Sequence, residues 1–179
     1  MHNPIQTLYD EHTIIANALE IARQASSLIE KDNRRYDSTM RKLITFFREY
    51  SDGYHHQKEE TILFPEIAKR KQILSEGVIS EMNENHEDFR EKITLIENCL
   101  NEENYLKAHK ILDRYAEALL DHIAVENDEL FQVANSLLDA EQLNKVYFKF
   151  QDCDRDLGDE RKNELVAMIA ELKSALEMA

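Results

Sequence analysis

The fold is decided by two stretches that follow one pattern, HHQKEETILF at residues 55–64 and HIAVENDELF at residues 122–131. Both read H-x-x-x-E-x-x-x-L-F. On an α-helix, side chains four residues apart lie on neighbouring turns of one face, so the histidine and the glutamate of each stretch face the same way. An imidazole nitrogen and a carboxylate oxygen in this arrangement can bind one metal ion or two adjacent ions. The spacing alone arises easily by chance, but the repeated Leu-Phe ending at the same offset indicates an internal repeat.

The repeat extends upstream of each stretch to a single histidine with acidic neighbours. His12 follows Asp10 and Glu11, and His86 lies between Glu84 and Glu87. The chain is therefore a duplicated unit of one histidine followed by one His/Glu pair, over about residues 1–135. It supplies six candidate metal ligands: His12, His55, Glu59, His86, His122 and Glu126.

The composition predicts a single all-α domain. The chain has 179 residues, and its three glycines and two prolines are too few for the turns of many strands. The net charge of -14 disfavours nucleic acid and anionic membranes as partners. No signal peptide and no long apolar run are present, and Cys99 and Cys153 form no C-x-x-C motif. We expect a soluble, cytoplasmic protein without disulfides.

The apolar periodicity divides the chain into six helices. Asn3 and Pro4 suit the start of the first helix, Gly53 weakens the second just before its histidines, and Pro65 should kink or interrupt it. Asp139 is a candidate N-cap, and Gly158 should separate the last two helices. The predicted helices cover residues 3–31, 37–70, 76–101, 104–135, 140–156 and 159–177, with a first turn at residues 32–35.

The spacing of the candidate ligands fits an up-down-up-down four-helix bundle. In such a bundle, residues equally far from a turn lie at the same height. The midpoints between successive histidine positions fall at about residues 33, 71 and 105, each in or beside a predicted turn. We therefore predict that all six ligands meet at one level of a bundle over residues 1–135. Residues 136–179 should form a two-helix extension packed on the same domain.

Four imidazoles and two carboxylates without a thiolate suit iron, manganese or zinc. Six protein ligands exceed what one tetrahedral zinc uses, whereas two bridging carboxylates with terminal histidines suit a pair of metal ions. The ferritin-like arrangement requires E-x-x-H, which the sequence does not contain.

The H…H-x-x-x-E…H…H-x-x-x-E order, the Asp-Glu-His opening at residues 10–12 and the run at 55–65 resemble the hemerythrin, or HHE cation-binding, superfamily. The resemblance covers about residues 5–135, and the part after Leu138 is also similar to bacterial hemerythrin-like proteins. It implies a four-helix bundle with two non-haem iron ions, bridged by carboxylates and an oxo group, that binds or reacts with dioxygen, nitric oxide or peroxide. It also implies that the six repeat-matched residues are the iron ligands.

One position departs from the family pattern. Hemerythrins have a fifth histidine one turn before the position of His86, and here that residue is Met82. Either coordination positions stay open, or His56 substitutes, as the residue after the first-repeat histidine does in some hemerythrin-like domains. The repeat equivalent of His56 is Ile123, so the alternative is that His56 lies beside the site without binding metal.

The remaining candidates are expected to play supporting roles. His2 and His109 have no repeat partners and are predicted surface histidines. Glu60 should be solvated or lie behind a ligand, and the other four residues should pack around the bundle core: Tyr9, Phe64, Tyr115 and Phe131.

Three functions remain open at this point. The first is a di-iron protein, monomeric or weakly dimeric, that binds or senses a small gaseous or peroxide ligand. The second is an enzyme that decomposes peroxide or nitric oxide, or supplies iron for iron–sulfur cluster repair. The third, a metal-free helical scaffold, is disfavoured because the six ligands converge on one level.

Overall fold

The computed structural model of the chain describes residues 3–177, which are helical with no strand among them. The all-α prediction is therefore confirmed. Three π-helical segments, with i→i+5 hydrogen bonds, interrupt the α-helices: π1 (Phe47–His56), π2 (Glu59–Leu63) and π3 (Glu126–Leu130). The α-helices are α1 (Pro4–Gln24), α2 (Asn33–Phe46), α3 (Phe64–Ala68), α4 (Gln72–Glu76), α5 (Val78–Asn101), α6 (Tyr105–Val125), α7 (Phe131–Leu137), α8 (Ala140–Leu157) and α9 (Asp159–Glu177).

Several predicted helix ends are confirmed. The Asn3 side chain accepts a hydrogen bond from the Ile5 backbone N–H at 3.0 Å. Asp139 caps α8 through a reciprocal pair of hydrogen bonds with Gln142. Gly158, with φ +83°, ends α8 and separates it from α9. The first turn lies a few residues earlier than predicted, because Asp32 is the N-cap of α2.

The second predicted helix differs most from expectation. Instead of one α-helix weakened at Gly53, the chain is π-helical from Phe47 to His56 and again from Glu59 to Leu63. Pro65 follows directly in the first turn of α3, where a missing N–H needs no helical partner. The predicted interruption of the helix at Pro65 is therefore not the main irregularity of this segment. The helix changes from the α to the π type upstream of Pro65.

Two apolar clusters form the core, and the candidate ligands lie between them. On α1, His12 separates Leu8 of one cluster from Ile15 of the other. On α5, His86 likewise separates Met82 from Phe89. The polar site is thus enclosed by an apolar layer on each side.

The two C-terminal helices contribute to the same clusters. Val146 and Phe150 of α8 join one cluster, and Leu165, Ile169 and Leu172 of α9 join the other. Within residues 3–177, no helix combines the length and the apolarity needed to span a lipid bilayer.

Candidate metal centre

Seven buried side chains meet in two overlapping clusters. One contains His12, His55, Glu59 and Glu126, and the other contains His56, Glu59, His86 and His122. Within each cluster the nitrogen and oxygen atoms lie within 4.8 Å of one another. Glu59 belongs to both. The structure thus brings together all six repeat-matched residues, and His56 with them.

Neighbouring residues of the π segments belong to both clusters. On a regular α-helix, the side chains of His55 and His56 would point about 100° apart. Both are buried at the end of π1, and Glu59 follows at the start of π2. Wider turns of this kind are frequent at functional sites. This one chain segment therefore supplies residues to both clusters.

The Nε2 atoms face the interior of the site. The Nε2 atoms of His86 and His122 are 3.0 Å apart. The imidazole nitrogens also approach the two glutamates: His12 Nε2 is 3.3 Å and His122 Nε2 is 3.2 Å from Glu126, and His55 Nε2 is 3.4 Å and His86 Nε2 is 3.7 Å from Glu59. These atoms therefore converge on common space.

The Nδ1 atom of each of the five rings faces a second polar residue. Four Nδ1 atoms face an oxygen acceptor: Asn127 for His12 (2.8 Å), Glu11 for His55 (2.8 Å), Asp52 for His56 (3.4 Å) and Glu60 for His86 (2.7 Å). Nδ1 of His122 instead lies 3.5 Å from the amide nitrogen of Asn85. A metal-binding histidine usually donates its other N–H to such a partner, which fixes the tautomer and the ring orientation. For His12, His55, His56 and His86 the arrangement is therefore that of Nε2 ligands.

The buried donor atoms fit a metal cation. Both carboxylate oxygens of Glu59 and of Glu126, and Nε2 of His12 and His55, have no hydrogen-bond partner among residues 3–177. Both glutamates are fully buried. Burying a carboxylate without a hydrogen-bond partner is costly, so this donor set favours a bound cation. Nitrogen and oxygen donors without sulfur suit iron, manganese or zinc.

The protonation state of the histidines agrees with this interpretation. Burial lowers the pKa of His55 to about 4 and also lowers the pKa of His56 and His86, so these rings are neutral at pH 7. Burial and the charge of Glu126 raise the pKa of Glu59. For Glu126, burial acts in the same direction, but the adjacent His122 and His12 outweigh it and lower the pKa. Neutral imidazole is the form that binds a metal ion.

Arg90 links two of the residues behind the histidines. Its guanidinium donates to Asp52 at 2.8 Å and to Glu60 at 2.6 Å, and these carboxylates contact Nδ1 of His56 and of His86. The two imidazole rings are stacked, with centroids 3.8 Å apart and planes 11° from parallel. One arginine thus orients a stacked histidine pair.

A buried ion pair supports His55 from the opposite side. Lys58 is fully buried, and its Nζ lies 2.6 Å from Glu11 and 3.2 Å from Asp154 of α8. The other Glu11 oxygen accepts from His55. Burial raises the pKa of Glu11, but the His55 hydrogen bond and the Lys58 charge outweigh it, and the pKa falls to about 2. Of the C-terminal helices, α8 is therefore connected to His55 through Lys58 and Glu11.

The other predicted residues also have defined positions. Phe64 and Phe131 stack on His86 and His12, each with planes 16° from parallel, as their repeat positions suggest. Tyr9 donates to the Asn127 backbone carbonyl at 2.9 Å.

The remaining candidates lie outside the two clusters. Met82 is buried in the apolar cluster that also contains Leu8. His109 belongs to neither metal cluster but is only 12% exposed, beside Tyr36 and Asp113, so its predicted surface position is only partly right. His2 lies outside the described residues.

Sequence reasoning missed most of the residues behind the histidines. Asp52 lies four residues before His56, which is a signal of helical proximity. Glu60 and Asn127 occupy matching repeat positions after the two cluster glutamates, so the repeat itself carried a signal for both. No sequence signal pointed to Lys58 or Arg90, because their contacts depend on which helices pack together.

The sequence model of the hemerythrin HHE cation binding domain matches residues 3–134. No curated protein and no solved structure matches the chain. The matched segment includes every residue of the two clusters. Since it covers well over half of the chain, this protein belongs to the hemerythrin HHE cation-binding domain family.

Proposed function

We propose that the protein is a non-haem di-iron protein that binds or senses a small diatomic or peroxide ligand such as dioxygen or nitric oxide. The observation that supports this most directly is the pair of buried clusters sharing Glu59. Two separate sets of imidazoles around one carboxylate provide for two adjacent metal ions, whereas a single tetrahedral site needs only four ligands.

The five histidines divide unequally between the proposed ions. His12 and His55 would hold one, and His56, His86 and His122 would hold the other. On this proposal His56 takes the place of the family's fifth histidine, because it lies in the second cluster with its Nδ1 facing Asp52. Glu59, which belongs to both clusters, would help to hold both ions, and Glu126 would help to hold the ion bound by His12 and His55.

Bound iron would supply redox-active positions with affinity for a small diatomic or peroxide ligand. The protein residues exclude water, since the cluster side chains are buried, and they orient the rings. Glu11, Asp52 and Glu60 each hold a proton on the Nδ1 atom of one histidine.

We further propose an up-down-up-down arrangement of the four site-bearing segments. The support is that α1, π1–π2, α5 and α6–π3 each supply residues to the same clusters. A cytoplasmic location and a monomeric or weakly dimeric state remain proposals, for which cell fractionation and light scattering provide tests.

The first experiment measures metal content. Protein purified after expression with added iron, or reconstituted anaerobically with ferrous iron, should contain about two iron ions per chain. One tightly bound zinc that iron cannot replace would contradict the di-iron proposal.

The second experiment distinguishes binding from turnover. Dioxygen, peroxide or nitric oxide is added anaerobically to the reduced protein, and the optical spectrum is followed. A stable spectral change that reverses on ligand removal supports a binding or sensing role. Continued consumption of peroxide or nitric oxide identifies the protein as an enzyme and contradicts that role.

A further inference from the structure

A cavity of about 260 Å³ lies between π1, α5 and α6, directly beside His56. Exposed residues, among them Arg48, Arg90 and Thr94, surround it where it meets the surface. Its inner wall consists of buried residues. An apolar cavity of roughly 150 Å³ can bind benzene, whereas sites for drug-sized ligands begin at about 300 Å³. The available space therefore suits a molecule about the size of a single ring.

The inner wall is aromatic. Phe47, Phe89 and Tyr115 line it together with the His56 ring. Tyr115 meets Phe47 edge to face at 5.2 Å and Phe89 at 5.7 Å, measured between ring centroids. Further aromatic contacts of this kind would stabilise an aromatic guest beyond the burial of its area.

The charges around the cavity favour a neutral guest. Arg48 donates to Glu97 at 2.7 Å, and Arg90 is paired with Asp52 and Glu60. Both guanidinium groups are therefore matched by carboxylates. A charged guest of either sign would have to compete with these existing pairs.

One hydrogen-bonding group on the wall has no partner. Tyr115 is only 2% exposed, and no hydrogen bond joins its hydroxyl to a residue within 3–177, yet the hydroxyl is not fully closed off. It therefore opens into the cavity that Tyr115 lines. Burial raises the pKa of Tyr115, so the group is a neutral O–H that can donate or accept one hydrogen bond.

We propose that this cavity is a binding site, distinct from the metal clusters, for a small neutral aromatic alcohol whose hydroxyl pairs with Tyr115. The ring lies among Phe47, Phe89 and His56. Because His56 belongs to one cluster, a guest in the cavity contacts the wall of the metal centre without occupying it.

Calorimetric titration of the purified iron-loaded protein with phenol tests the proposal. We expect saturable binding of one phenol per chain, with a Kd in the millimolar range or tighter. Thr94→Trp should fill the opening and weaken binding at least tenfold. Leu106→Trp is the matched control, because Leu106 is also exposed but lies on α6 outside the cavity, and it should bind phenol as the unmodified protein does.

Tyr115→Phe tests the role of the hydroxyl. It should weaken phenol binding by about three- to tenfold, as expected for one hydrogen bond, and leave benzene binding unchanged. Iron content, measured in every variant, should stay the same. The absence of saturable heat, equal binding by Thr94→Trp, or equal losses for phenol and benzene in Tyr115→Phe would overturn the proposal. A new visible absorption band on phenol addition, indicating direct coordination to ferric iron, would also overturn it.

Discussion

At the residue scale, the two repeats differ in the side chain that contacts Nδ1 of the single histidine, His86 or His12. Glu60 and Asn127 each follow a cluster glutamate, and each contacts Nδ1 of the single histidine from the other repeat, His86 or His12. The geometry is the same, but one partner is a carboxylate and the other an amide. A carboxylate makes the imidazole a stronger metal donor. The two proposed iron ions therefore have unequal surroundings.

Glu60→Gln should weaken iron binding about tenfold while leaving the fold intact. His86 keeps a hydrogen-bond partner at residue 60, but that partner no longer carries a negative charge. Competition with a calibrated chelator measures the affinity. Glu87→Gln is the matched control, since Glu87 lies beside His86 in sequence and is exposed. Equal affinities for Glu60→Gln and Glu87→Gln would mean that the Glu60 charge does not influence the metal.

His56→Ala should reduce the iron content from about two ions per chain towards one, because it removes one of three imidazoles from a cluster. Elemental analysis after reconstitution measures the loss. His109→Ala provides the comparison, since His109 lies outside both clusters and contacts Tyr36. If His56→Ala keeps two ions with an unchanged spectrum, His56 lies beside the site without binding metal.

The sequence predicted the candidate ligands better than their surroundings. His12, His55, His86 and His122 were identifiable because their spacing repeats along the chain, and repetition is a local property of sequence. Glu11 reaches His55 across a helix–helix contact, and Arg90 likewise reaches Asp52, which lies behind His56. Which faces of two helices meet depends on packing throughout the molecule, and no local pattern records it.

At the element scale, the helix type was the feature with the least sequence signal. Helical periodicity identified residues 37–70 as helical, but it does not separate i→i+4 from i→i+5 hydrogen bonding over ten residues. The adjacent histidines 55 and 56 do not distinguish the two helix types, because the burial of both side chains is known only from the structure.

The same segment carries the buried Lys58, which connects it to α1 and α8. Lys58→Met should lower the free energy of unfolding by about 3–5 kcal/mol, because Glu11 would remain buried without its cationic partner. Urea unfolding followed by circular dichroism measures the change. Lys107→Met, at an exposed position, should change stability by less than about 0.5 kcal/mol. A similar small change for Lys58→Met would show that Glu11 is solvated or neutral in solution.

At the scale of the whole molecule, the family match ends before the last two helices, but the core does not. Leu165, Ile169 and Leu172 of α9 pack in the cluster that contains Ile15 of α1. Asp154 of α8 reaches the residues behind His55 through Lys58. The prediction of a separate segment at 136–179 packed on the same domain therefore has a measurable consequence: the extension and the metal centre should unfold together.

Leu165→Ala tests this coupling at a residue of α9 that belongs to neither metal cluster. Removing the side chain of a fully buried leucine should cost about 2–5 kcal/mol. If the chain is one cooperative unit, the midpoint of helix loss and the midpoint of iron release should fall by the same amount. Leu176→Ala, at a partly buried position near the end of α9, should shift both midpoints much less. Should Leu165→Ala produce an early partial loss of helix while iron release keeps its original midpoint, the C-terminal helices would be an independent unit docked on the metal-binding bundle.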